Sequence, residues 1–430
     1  MTFRRSITVL ALLIMSGLVF FAVTDRPTLM QPLAFVSERL SVYIALLSAT
    51  LAGLASWLIG LLLIRFNHLH ASWSADQADG GPQKVHSRPT PRVGGLTLAV
   101  GLATSLLVIL VAEKLFYPQF LLNTTYFQLV LLSTLPAFLG GITEDLTKRV
   151  GPLPRLLFTM ASGVFAVMLI GATLTRLDIP WVDVNLLSVP LLAILFTAFA
   201  VAGIANAINI IDGFHGLSSG YCVIVLLAIA TVGYVAQDNL VMQLSMAMAG
   251  AMIGFMCWNW PRGAIFLGDG GAYLVGFLIA EIAILLVMRN PEVSAWFPLV
   301  LVIYPFTETL YSVYRRKLVH KSNASEPDRG HLHHLIHARI MNQMTHGTPV
   351  AKREQANPKV AKHAWIATLV VAISAVLAWD DTPILMGLAA FYAMIYVVIY
   401  RRYYRSVQQS LHPASPPADK VPEIKSSSAY

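Results

Sequence analysis

At 430 residues, 56% of them hydrophobic and only 12% charged, with a mean hydropathy of +0.66, the chain is too apolar to be a soluble domain of its length. Its net charge of +8 at pH 7 comes with no nucleic-acid-binding motif, so nucleic acid is not an expected partner and a basic face against anionic membrane lipids explains the charge. Cys222 and Cys257 lie in apolar stretches without metal-ligand or redox spacing, which marks them as buried, inert thiols.

A helix needs about 17 to 25 apolar residues to cross the hydrocarbon core. The pattern predicts an all-α fold, a polytopic membrane bundle of about 11 to 12 transmembrane helices. Twelve candidate spans fall at 6–24, 42–64, 93–112, 125–142, 156–174, 187–205, 218–236, 239–257, 271–288, 295–313, 364–379 and 383–400. Arg4 and Arg5 precede the first, which resembles a signal peptide but has no small-residue cleavage site, so it reads as an uncleaved anchor. The expected organisation is an anchor and external loop over 1–41, a membrane core over 42–345, a basic segment with the last two spans over 346–400, and a disordered tail over 401–430. All Lys and Arg except Arg26, Arg39, Lys114, Arg176 and Arg289 then fall on one side, which the positive-inside rule makes cytoplasmic, together with both termini.

Five polar segments interrupt the apolar pattern, all on that side: 84–95, 144–151, 206–217, 266–271 and 327–337. Carboxylates, amides, histidines and lysines are costly near lipid, so their convergence on one membrane face predicts one active site there. In the first segment Lys84, His86, Arg88 and Arg92 precede Gly94 and Gly95, and Pro89 and Pro91 stiffen the loop. A stiff basic loop suits a diphosphate; ordinary positive-inside charge is the plainer alternative. In the second, Glu144 and Asp145 are followed by Lys148, Arg149 and Arg155. Neighbouring residues on a helix project about 100° apart, so one carboxylate is free to serve chemistry while the other holds a neighbouring lysine.

Asn209 in the third segment and Asp269 in the fourth are the expected ligands of a hard divalent cation, Mg²⁺ with Mn²⁺ as an alternative, because such ions take oxygen ligands and keep several waters. Gly268, Gly270 and Gly271 around Asp269 let a bulky anion approach; a capped turn at the start of a span is the structural alternative. In the fifth segment His331, His334 and His337 share one side if the chain is helical there, with His333 beside them. Imidazole donors to phosphate oxygens are the preferred reading, against a zinc site that lacks a completing ligand set.

Taken in order, these segments resemble the polyprenyl-phosphate N-acetylhexosamine-1-phosphate transferases, glycosyltransferase family 4, over about residues 40 to 345. PDRGHLHHLI is closer to the branch using UDP-GlcNAc than to the peptidoglycan branch. The resemblance implies transfer of N-acetylhexosamine-1-phosphate from a UDP-N-acetylhexosamine to undecaprenyl phosphate with release of UMP, starting a cell-envelope polysaccharide at the bacterial inner membrane. It implies Mg²⁺ on Asn209 and Asp269, uracil stacked on Phe266, and Asn206, Asp212 and His215 in the nucleotide motif. Lys84, His86, Lys148, His331, His333 and His334 would face the diphosphate, with Asp145, beside Glu144, where the lipid phosphate arrives.

Three positions depart from the family pattern. Glu144 and Glu308 stand where the family generally has Asp, and His215 replaces the second acid of DGxDGL; a neutral His215 ring nitrogen can accept from the uracil N3–H. These departures keep a non-catalytic nucleotide- or lipid-binding scaffold open as an alternative. A secondary transporter is a further one, although midspan ionisable residues are few, chiefly Glu281 and Glu308. Homodimerisation and the role of the last two spans are left open by the sequence.

Overall fold

The computed structural model describes residues 32–76, 89–116, 121–320 and 330–411, and in them the chain is an all-α membrane bundle. Its helices are α1 (Pro32–Arg65), α2 (Asn67–Ser74), α3 (Gly94–Phe116), α4 (Leu121–Ser133), α5 (Leu135–Thr147), α6 (Pro152–Ile170), α7 (Pro190–Ile211), α8 (Leu217–Val235), α9 (Asn239–Asn259), α10 (Gly268–Arg289), α11 (Trp296–Leu301), α12 (Ile303–Tyr314), α13 (Leu332–Asn342), α14 (Pro349–Leu377) and α15 (Thr382–Leu411). A two-stranded antiparallel ribbon, β1 (Ala75–Asp76) with β2 (Thr90–Pro91), precedes α3.

Ten helical stretches among the described residues are long and apolar enough to cross a membrane, which makes this a multi-pass membrane protein. They correspond to ten of the twelve expected spans; the stretch 6–24 lies outside the described residues. The span expected at 295–313 is instead two short helices, α11 and α12, that meet at Val302. Pro305 has no N–H to give the Leu301 carbonyl, which accepts from the Tyr221 hydroxyl at 2.7 Å, so a side chain from α8 satisfies the break. Two boundaries also move. Residues 32–41, expected as an external loop, already belong to α1, and α15 runs to Leu411, past the tail boundary expected at Arg401.

Helix α10 is the axis of the bundle: 94% of its most apolar window is buried, against 17% for α15. Its N-terminus carries the GDGG segment and is tightly enclosed. A Cβ on Gly95 would come within 2.6 Å of the Gly271 nitrogen, and one on Gly141 within 2.5 Å of the Gly270 nitrogen, so glycines from α3 and α5 permit this approach. Backbone hydrogen bonds join the first and fourth polar segments directly: Gly94 N–H to the Phe266 carbonyl at 2.9 Å, Gly95 N–H to Leu267 at 3.0 Å, and Phe266 N–H to Pro91 at 2.8 Å.

Candidate active site

Helix ends from all over the bundle open onto one cavity of about 580 Å³, within the range of roughly 300 to 1,000 Å³ usual for small-ligand sites. Of the expected site residues, Glu144, Asn206, Asn209, Asp212, His215, Phe266, Asp269, His331, His333 and His334 line it. Lys84 and His86 lie outside the described residues.

Asp269, in the first turn of α10, is the hub. Its Oδ1 accepts from Arg92 Nη2 at 3.0 Å and from Asn209 Nδ2 at 3.1 Å, and its Oδ2 pairs with Arg155. Arg92 belongs to the basic loop of the first segment and Arg155 lies just beyond the second; they are cavity groups that hold this carboxylate between α3, α6 and α10. Arg316, beyond the end of α12, adds a third guanidinium to the lining.

Asp145 is placed differently from the expectation. It is fully buried and absent from the cavity wall, and its two oxygens accept the backbone N–H groups of Asp269 at 2.9 Å and Gly270 at 2.8 Å. A carboxylate there satisfies donors that the first turn of α10 leaves without intrahelical partners, and it meets the positive end of the helix. Glu144, one residue earlier, is the acid that faces the cavity, with its Oε2 accepting Val150 N–H at 2.6 Å.

Lys148 is also a correction. It ends α5 in the left-handed conformation, φ 53°, and its ammonium donates to the Ala75 carbonyl at 2.7 Å, so it anchors the β ribbon and does not line the cavity. Asp76 does line it, because that anchored ribbon brings β1 to the rim.

In the third segment, Asn206 donates to the Ala202 carbonyl at 2.8 Å, and Asp212 accepts from Ser218. Burial pushes the Asp212 carboxyl up to about 6, partly offset by the Ser218 hydroxyl. His215 packs against Phe266 with ring centroids 5.8 Å apart and planes 34° from parallel. Its Nδ1 lies 3.1 Å from the Pro261 carbonyl, which only a protonated Nδ1 can use, and Nε2 is buried. With Nδ1 engaged at the Pro261 carbonyl, His215 lines the cavity with its ring packed against Phe266.

The expected site histidines His331, His333 and His334 meet at the cavity, but not through a helical row. His331 caps α13 in an extended conformation and so leaves the helical i, i+3, i+6 row; the rings that meet are His331, His333 and His334, with His331 stacked on His333 at 5.3 Å. Glu308 orients the cap: its Oε1 lies 2.9 Å from His331 Nδ1, and its Oε2 accepts Leu332 N–H at 3.1 Å. Phe214, unremarked in the sequence, packs its ring against His333, His334 and His337, which ties the third segment to the fifth. Burial, with His334 and His331 adding to it, holds His333 well below its ordinary pKa of 6.5. His333 also lines a second, apolar cavity of about 300 Å³ between α8, α14 and α15.

Among the described residues no group of three or more His, Cys, Asp or Glu is arranged to hold a metal, so the zinc alternative has no ligand set. A Mg²⁺ ion asks for less. With metal–oxygen bonds of about 2.0 to 2.1 Å, neighbouring octahedral ligands are about 2.9 Å apart, close to the 3.1 Å between the Asn209 amide and the Asp269 carboxylate. Turning that amide presents its oxygen beside Asp269. These two residues fit such an ion.

Residues 127–287 match the family model described as "Glycosyl transferase family 4". Over 328 residues the chain is 30% identical to the "Decaprenyl-phosphate N-acetylglucosaminephosphotransferase" of Mycobacterium leprae, covering 68% of this chain and 76% of the relative. It is 27% identical over 263 residues to the "Probable undecaprenyl-phosphate N-acetylglucosaminyl 1-phosphate transferase" of Bacillus subtilis, covering 60% and 68%. A "Phospho-N-acetylmuramoyl-pentapeptide-transferase" of Clostridium beijerinckii is 29% identical over 214 residues, covering 49% and 64%.

Proposed function

The chain belongs to glycosyl transferase family 4, and on that premise we propose that it transfers N-acetylhexosamine-1-phosphate from a UDP-sugar to undecaprenyl phosphate. The observation that carries the reading is the single cavity in which Asn209, Asp269, three arginines and four histidines meet at one end of the bundle. An oxygen of the lipid phosphate attacks the β-phosphorus of the UDP-sugar. The bond from that phosphorus to the bridging oxygen breaks, UMP leaves, and the lipid-diphosphate sugar stays in the membrane. Such transfers depend on positioning and charge neutralisation more than on covalent catalysis.

Arg92, Arg155 and Arg316 neutralise the phosphates, with Lys84 and His86 of the basic loop adding to them. The attacking phosphate needs no strong base, since a phosphate monoester has its second pKa near 6. Glu144, the acid that faces the cavity, positions it. Asn209 and Asp269 would hold Mg²⁺, whose charge offsets that of the diphosphate. Relatives named for N-acetylglucosamine support GlcNAc as the sugar, and the lipid-diphosphate sugar would begin a cell-envelope polysaccharide. Charge asymmetry supports a cytoplasmic site. The transport alternative finds no midspan site among the described residues: Glu308 caps α13, and Glu281 is fully buried within α10.

The test is UMP release by purified protein in detergent with undecaprenyl phosphate, Mg²⁺ and a panel of UDP-N-acetylhexosamines, each with and without chelator. Chelator-sensitive release with one sugar is expected. Binding of UDP and lipid with no release from any sugar would put the scaffold reading in its place.

A further inference from the structure

The family model ends at residue 287, and the helix that follows the histidine segment carries no motif, yet it reaches the nucleotide end of the cavity. Three hydrogen bonds join the cytoplasmic half of α14 to the loop between α7 and α8 and to the turn after α9. Asn357 Oδ1 accepts His215 N–H at 2.8 Å, Trp365 Nε1 donates to the Gly216 carbonyl at 2.9 Å, and Trp260 Nε1 donates to the Pro358 carbonyl at 3.2 Å. Asn357 is 1% exposed and lines the cavity, and Trp260 and Trp365 pack with ring centroids 5.2 Å apart.

We propose that Asn357, braced by Trp365, is a positioning residue that sets the affinity for the donor's uridine moiety by fixing the loop that holds His215 against Phe266. The inference rests on the reading of the cavity as a UDP-sugar site. Because His215 N–H can only donate, it fixes the Asn357 amide with Oδ1 toward the loop. The Gly216 carbonyl on the next residue is held by Trp365, so consecutive backbone groups of one short loop are tied to one helix. Moving the loop away from α14 would leave the His215 N–H without its acceptor and strip the Gly216 carbonyl of one of its two donors, the other being Gly220 N–H at 3.0 Å. What it holds is the aromatic pair of His215 and Phe266, the surface suited to a flat nucleobase. The reacting phosphates would lie toward Asp269, so the brace acts on donor binding and not on the transfer step.

The measurement is UMP affinity of the full-length protein in detergent by isothermal titration, together with KM for the UDP-sugar and for the lipid, in Asn357→Leu and Trp365→Phe. Asn357→Leu removes a hydrogen bond while keeping the branched side-chain shape, and Trp365→Phe removes one together with part of the indole ring. Ser374→Ala, on the same helix near its other end, is the control. Both variants are expected to weaken UMP binding and raise the donor KM by about five- to thirtyfold, with kcat and lipid KM within about twofold and Ser374→Ala unchanged. UMP affinity within twofold of wild type in a folded Asn357→Leu protein overturns the inference; if that variant does not fold, the same result in Trp365→Phe does. A wild type that binds UMP but releases none from any UDP-sugar sinks the proposed reaction and leaves the brace standing, whereas a wild type that binds no UMP sinks both.

Discussion

Asp145 separates two physical roles that the sequence leaves overlapping. If it met the lipid phosphate, Asp145→Ala would lose activity and raise the lipid KM without changing stability. The structure makes it the fully buried cap of α10, holding two backbone N–H groups at 2.9 and 2.8 Å with Arg92 Nη2 at 3.4 Å. Hydrogen bonds to a charged group contribute about 1.5 to 3 kcal/mol each, so two are worth about 3 to 6 kcal/mol. Relief of the carboxylate's own burial offsets part of this, leaving a net loss of about 2 to 4 kcal/mol. At roughly 2 °C per kcal/mol for a chain of this size, Asp145→Ala should melt about 4 to 8 °C below wild type. Asp145→Asn keeps one acceptor oxygen and should lose about half as much. Melting followed by tryptophan fluorescence in detergent, alongside UMP release, checks both. Activity should fall in parallel, because Asp269 sits on the capped turn. An Asp145→Ala protein that melts within about 1 °C of wild type while losing lipid affinity would refute the capping role.

Asp269→Ala strips Arg92, Arg155 and Asn209 of their shared partner and should cut UMP release by about a thousandfold or more. Glu292→Ala, on an exposed turn after α10, should stay within about twofold of wild type, and equal activity in the two would remove Asp269 from the chemistry. For His333, whose folded pKa lies well below 6.5, the unfolded chain takes up a proton first as pH falls. Its contribution to stability is complete above pH 6.5 and declines below it, so the melting temperature should drop between pH 7 and 5 and drop less in His333→Gln; an unaltered slope contradicts this. Glu281 is fully buried in α10 with neither carboxyl oxygen hydrogen-bonded among the described residues, so Glu281→Leu should stabilise by about 1 to 3 kcal/mol. A lower melting temperature in that variant would mean the carboxyl has a partner.

The spans were legible because crossing hydrocarbon demands a long apolar run, and the meeting of the segments was legible because polar groups collect at helix ends on one face. The broken span at Val302 was not, since membrane helices often absorb a proline and only the Tyr221 hydroxyl, from another helix, decides this one. Asn357 was hidden for the same reason: its partner in the third segment is 142 residues away, and Asn357 itself has no local pattern to announce it. Which of Glu144 and Asp145 faces the cavity was illegible for a more general reason. Composition says that two acids stand at a helix end, but which of them is left for substrate depends on where other backbone donors lack partners. The tight approach at Gly95 and Gly141 brings the start of α10 against the end of α5 and shuts it from solvent, so its first N–H groups need an acceptor from a neighbour. In this architecture one of the two acids must therefore be committed to the cap before the other is available to substrate. Helix geometry, which turns adjacent residues about 100° apart, gives that role to Asp145 and turns Glu144 to the cavity.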